Sequence, residues 1–92
     1  MLELVTTSQF RKDYKRVKKR GYDMVLLEEV INHLLQEKPL AERYRDHGLA
    51  GNYLGFRECH ILSDWLLIYA VDKKQLVLTA SRTGTHSDLF AK

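Results

Sequence analysis

"FRECHILSDWLLIYAVDKKQLVLTASR", residues 56–82, is the most strand-like part of the chain. It holds three strand-like runs, 56–62, 65–71 and 75–82, joined by Ser63-Asp64 and by a turn centred on Lys73-Lys74. Short runs of aliphatic, aromatic and β-branched residues between brief polar turns predict an antiparallel meander. The run 65–71 is apolar at every position, which places it centrally with both faces covered.

The register follows if both connections are two-residue hairpin loops. Leu62 then faces Trp65, and Val71 faces Leu76. Alternation puts Glu58, His60, Trp65, Leu67, Tyr69, Leu78 and Arg82 on one face. Cys59, Ile61, Leu66, Ile68, Ala70, Val77 and Thr79 fall on the other, which is expected to be the core face. The first face mixes polar, aromatic and aliphatic groups, as a shallow polynucleotide-binding surface would. One extra residue in either loop flips the assignment.

Upstream of the meander the period is helical. "LELVT" (2–6) predicts a short strand, with Thr6, Thr7 or Ser8 as the N-cap of a helix carrying Phe10, Tyr14 and Val17 inward. Gly21 suits its stop and Asp23 the cap of a second helix. Leu26, Leu27, Val30, Ile31, Leu34 and Leu35 give that helix a broad apolar stripe, and Pro39 lies beyond its end. Glycines 48, 51 and 55 punctuate a short strand near Leu49–Tyr53. The expectation is one α+β domain over residues 1–92: an N-terminal strand, a two-helix hairpin, then a mostly antiparallel sheet.

Bulk composition is that of an ordinary globular chain of 92 residues, 45% apolar and 29% charged. No run approaches the roughly 20 apolar residues of a membrane span, and the N-terminus lacks a signal-peptide pattern. Cys59 is the single cysteine, which excludes an internal disulfide and suits a reducing, cytoplasmic setting. Charge is unevenly placed. Residues 11–20, "RKDYKRVKKR", hold seven basic groups and one acid, on a chain whose net charge is only +3. Such a block, with Lys15, Lys18 and Lys19 outward, suits a phosphate backbone or an acidic partner, and equally a solvated helix face.

His47, His60, Asp64 and His86, with Arg82, are the candidates for chemistry. They come from "DHGLAG", "CHILSDW" and "RTGTH", which a meander can bring to one end of the sheet. Imidazoles with a carboxylate and a guanidinium suit acid–base cleavage of a phosphodiester: one group takes a proton, another returns one, and the arginine offsets phosphate charge. Each also has a plain structural reading as a turn or surface-strand residue. Three histidines and an aspartate are plausible zinc ligands, but no HxxxH or finger spacing supports a metal. His33 reads as a surface residue.

Three elements in order, D-H-x-L-x-G (46–51), R-E-x-H-x-x-x-D-W (57–65) and R-x-G-T-H-x-x-L-F (82–90), carry a resemblance. Over nearly the whole chain the sequence resembles the YafQ branch of the RelE/ParE toxin superfamily. The resemblance implies a RelE-like fold and a ribosome-dependent endoribonuclease. Such an enzyme cuts messenger RNA in the ribosomal A site by attack of the substrate's 2′-hydroxyl, with no metal or other cofactor. It implies His86 as general acid, Asp64 with His60 or His47 on the 2′-hydroxyl proton, and Arg82 on the phosphate. Trp65 and Phe90 would position bases or the tail, and Lys15, Lys18 and Lys19 would meet ribosomal RNA. The implied partners are messenger RNA on the 70S ribosome with 16S ribosomal RNA contacts, and a DinJ/RelB-like antitoxin. Operator DNA would be met only through that antitoxin, and no membrane is implied. The alternative is a non-catalytic ParE-like inhibitor of DNA gyrase. The three histidines and aspartate argue against it, because a pure binder needs no proton-transfer groups.

Overall fold

In the computed structural model, which describes residues 1–90, β4 (Trp65–Asp72) is the central strand of a five-stranded sheet. Its neighbours are β3 (Arg57–Leu62) and β5 (Val77–Gly84), both antiparallel to it. The edges are β1 (Glu3–Thr6), parallel to β5, and the two-residue β2 (His47–Gly48), antiparallel to β3. Residues 91 and 92 of the expected domain lie outside the described residues.

Two helices cover one face. Thr7 caps α1 (Ser8–Lys19): its hydroxyl accepts from the Phe10 N–H and donates to the Ser81 carbonyl, tying the helix start to β5. Asp23 caps α2 (Met24–Leu35) by accepting from the Val25 N–H. Gly21, at φ +89°, makes the left-handed turn between them. Phe10 and Val17 of α1 and Leu27, Val30, Ile31 and Leu34 of α2 meet Cys59, Ile61, Trp65, Leu67, Tyr69, Leu78 and Ala80 from the sheet.

That inventory corrects the expected faces. Cys59 and Ile61 do face the helices, but Trp65, Leu67, Tyr69 and Leu78 join them there, while Leu66 and Ile68 point the other way. The reason is a β-bulge. Leu62 pairs with Trp65 as expected, but His60 pairs with Leu66, so Ile61 is an extra residue that shifts the parity of β3 against β4. A second irregularity sets Ser81 between the pairs Tyr69–Ala80 and Ile68–Arg82. The two offsets cancel between β3 and β5, and Glu58, Ile68 and Arg82 become successive neighbours across three strands.

Two further expectations change. The β4–β5 turn is longer than two residues: Asp72 pairs with Val77, and Val71 with Leu78 rather than Leu76. Asp72 accepts from the Lys74 and Gln75 N–H groups, an Asx-type turn that leaves Leu76 at φ +57° and half exposed. The segment expected as a strand near Leu49–Tyr53 is instead a 3-10 turn, Gly51–Tyr53, preceded by β2. Tyr53, with Leu49 and Phe56, packs on Leu66 and Ile68, so the central strand is covered on its second face too. Leu89 of α3 (His86–Phe90) completes that smaller cluster.

Candidate active site

The site is built where β3, the β3–β4 hairpin and α3 converge. Thr85 and Asp88 cap α3 reciprocally: the Asp88 N–H donates to the Thr85 hydroxyl, and the Thr85 N–H to the Asp88 carboxylate. Arg20 at the end of α1 grips the same carboxylate through two bonds, at 2.7 and 3.1 Å, holding its carboxyl well below the usual carboxylate range. Gly84 precedes this cap because a Cβ there would stand 2.9 Å from the Asp88 Oδ2, at a φ of +153°.

His86 therefore opens a fixed turn over the hairpin. Its backbone N–H donates to Asp64 Oδ1 at 2.9 Å, and its Nδ1 lies 2.6 Å from the same oxygen. Both bonds from His86, the backbone one foremost, hold the Asp64 carboxyl below its ordinary range. With Nδ1 engaged, Nε2 is the ring atom left to exchange a proton. This pair is exposed, at 51% and 63% of its side-chain surface.

The His60 ring faces that of His86 at 5.6 Å between centroids. Its Nδ1 lies 3.3 Å from the Ser63 carbonyl and its Nε2 3.3 Å from Glu58 Oε1. Both nitrogens thus meet acceptor oxygens. Glu58 is 6% exposed and lies opposite His47 in the sheet, whose Nε2 is 3.7 Å from the same oxygen. His47 is oriented from behind by the Arg45 carbonyl, 2.6 Å from its Nδ1. Beside it, Asp46 accepts from the Tyr69 hydroxyl and from Arg57, pinning this loop to the sheet. Sequence reasoning left Glu58 out of the chemistry. Its signal was an acid two residues before His60 on the same strand face.

Arg82 stands on the cluster's face, two strands from Glu58, a separation of about 10 Å at normal strand spacing. It is held by Asp13, which takes its Nε at 2.7 Å and Nη2 at 3.3 Å. Asp13 is buried, accepts the Thr83 N–H as well, and raises the pKa of Arg82 above the ordinary guanidinium value. It too was missed, although it is the lone acid of the basic block and shares the helix face of Phe10 and Val17.

The other expected site residues divide. Phe90 lies at the rim, its ring edge-on to Tyr53 at 5.9 Å. Lys15, Lys18 and Lys19 are exposed on α1 and outside the cluster. Trp65 leaves the site: it is 1% exposed on the helix side, with Tyr22 against its ring and its Nε1 donating to Thr83. The bulge at Ile61 turns it into the core, so it is not available to stack a base. Cys59 is a buried core thiol, pushed up to about 12 by burial.

The donor atoms of Glu58, His60 and His86 lie within 4.8 Å of one another, close enough to ligate a cation. The same three groups can move protons across a bound ester. A small α+β domain with an acid–base cluster at one end of its sheet is thus the class that fold and site define.

The chain belongs to the YafQ family of bacterial toxins of type II toxin–antitoxin systems, whose model matches residues 2–91. It is 40% identical over 85 residues to the mRNA interferase toxin YafQ of Escherichia coli K12, covering 91% of this chain and 90% of that one. A metal-bound toxin from Helicobacter pylori superposes with a TM-score of 0.92 at 44% identity, covering 98% of this chain and all of the other. YafQ in the E. coli DinJ–YafQ complex gives 0.89 at 36% identity, covering 98% and 99%.

Proposed function

We propose that this chain is an endoribonuclease toxin that cleaves messenger RNA in the ribosomal A site by acid–base catalysis. The observation that carries the reading is the facing pair of dyads, His86–Asp64 and His60–Glu58, 5.6 Å apart between rings. In a bound strand the 2′-hydroxyl gives its proton to the Glu58–His60 side and attacks the adjacent phosphorus. His86 Nε2 protonates the departing 5′-oxygen, leaving a 2′,3′-cyclic phosphate and a 5′-hydroxyl. This moves the 2′-hydroxyl role from Asp64, which orients His86, to the buried Glu58. Arg82, fixed by Asp13, offsets charge on the phosphate. Every proton in the scheme is carried by these side chains, so no step requires a metal.

Similarity to the E. coli interferase supports messenger RNA as substrate, and the DinJ–YafQ complex supports a DinJ-like antitoxin as partner. The exposed lysines of α1 supply attraction to ribosomal RNA and to an acidic antitoxin segment alike. The open site has little surface to orient a free strand, so the ribosome is the expected holder of the substrate.

The test uses purified protein with ribosomes programmed with a defined messenger, alongside naked messenger and a gyrase supercoiling reaction. Ribosome-dependent cuts ending in 2′,3′-cyclic phosphate are expected. Intact messenger with blocked supercoiling would overturn the reading in favour of a gyrase inhibitor.

A further inference from the structure

We propose that the cleft between the 3-10 turn Glu42–Tyr44 and the β3–β4 hairpin is a subsite for the messenger nucleotide adjoining the scissile phosphate, a reading that rests on the endoribonuclease function above. The cleft encloses about 460 Å³ between Arg43, Tyr44 and Arg45 on one wall and His60, Leu62 and Ser63 on the other. Because His60 belongs to the acid–base cluster, a strand leaving the reaction centre on this side passes directly into the cleft.

Its chemistry is that of a single-stranded nucleotide site. The Arg43 guanidinium lies over the Tyr44 ring, 4.9 Å from its centroid, and donates to the Tyr44 hydroxyl at 2.9 Å. That stack is flat, polarisable and suited to a base. Leu62, 54% exposed, supplies apolar floor. The charges are uncommitted: among the described residues no carboxylate lies within 4 Å of the Arg43 or Arg45 side chain, whereas Arg16, Arg20 and Arg57 are all in ion pairs. Exposed guanidiniums without a carboxylate are available to a phosphate. Arg45 also sits at φ +50°, in the left-handed region a long side chain rarely adopts, and its carbonyl is the group that orients His47. The same residue thus presents a cation to the cleft and aligns the imidazole beside Glu58.

Ribosomal RNA offers the same phosphates, and the experiment separates the two sources. Single-turnover cleavage on programmed ribosomes is measured against protein concentration for the parent and for the Arg43→Gln, Arg45→Gln double variant. Both side chains are exposed, and thermal melts verify the fold. The half-saturating concentration is expected to rise roughly ten- to a hundredfold, the cost of losing charge-assisted phosphate contacts, with the saturated rate within a few-fold of the parent. Pelleting with messenger-free ribosomes should be unchanged. An equal loss of binding to messenger-free ribosomes would assign the arginines to ribosomal RNA and overturn the subsite, as would an unchanged half-saturation. A parent that cleaves nothing sinks the endoribonuclease reading and the subsite together. A parent that cleaves alongside an unaffected variant sinks the subsite alone.

Discussion

His86 with Asp64 and His60 with Glu58 are the same pair of functional groups in two environments. The first pair is half exposed, joining a short helix to the β3–β4 hairpin, and the second is walled into the sheet at 14% and 7% of side-chain surface. Water screens the outer pair, so its hydrogen bonds add little to stability and leave Nε2 open to a ligand. The inner carboxylate has lost most of its water and depends on the two histidines that face it. The two environments imply a division of labour. On the proposed scheme the outer dyad meets substrate, and the inner one serves the fold as well as the chemistry.

Three experiments test that contrast. The largest effect is expected from His86→Ala, with cleavage on programmed ribosomes falling about 10²- to 10⁴-fold, the usual loss for a general acid. The melting profile should barely move, because Asp64 keeps the bond from the backbone N–H of residue 86. Cleavage within a few-fold of the parent would move the role elsewhere, and unfolding would make the outer dyad structural.

Glu58→Gln should do less to the rate and more to stability. The amide keeps an acceptor for one imidazole but loses the charge both rings face. A loss of about 1–3 kcal/mol in urea unfolding is expected, typical of a buried polar group left short of a partner. The rate should fall by roughly ten- to a hundredfold. Unchanged stability with a lost rate would erase the contrast between the dyads.

The smallest effect concerns acid. The carboxyls of Asp64 and Asp88 are held below the ordinary carboxylate value, so their contribution is complete above about pH 4, the unfolded value. It is lost as pH falls through the lowered folded values. On acid titration α3 should therefore stay docked down to about pH 4 and come loose only below it, followed by the amide signals of residues 85–89, while α1, α2 and β4 hold. Concerted loss of all elements would mean that the tail is no weaker than the core.

The sequence made a cap among Thr6, Thr7 and Ser8, the cap Asp23, the central strand and the hairpin at Ser63-Asp64 legible, because each rests on local residue chemistry. What it hid were the places where pairing depends on a neighbouring strand. Nothing in the side chains of Ile61 or Ser81 marks an extra residue, so Trp65 was expected on the polar face and lies in the core. Arg82 was nonetheless expected on the right face, through two offsets that cancel. Asp13 and Glu58 were hidden for another reason. Their importance lies in burial, and burial of an acid inside a basic block or beside a histidine becomes visible only once the strands are placed. The helix at His86–Phe90 was not expected, although its T-x-x-D start at Thr85–Asp88 is a local capping pattern.

The anchoring of Arg82 by Asp13 and of His86 by Asp64 also has a meaning in time. These contacts span 69 and 22 residues of chain. A chain grows from its N-terminus, so α1, α2, β3 and β4 exist before β5 and α3 are made. A nascent chain that has reached only β4 carries Asp13, Glu58, His60 and Asp64, but neither the arginine nor the histidine they wait for. On the proposed scheme the cluster is complete only once β5 has closed on β4 and Leu89 has seated α3 against Leu66 and Ile68.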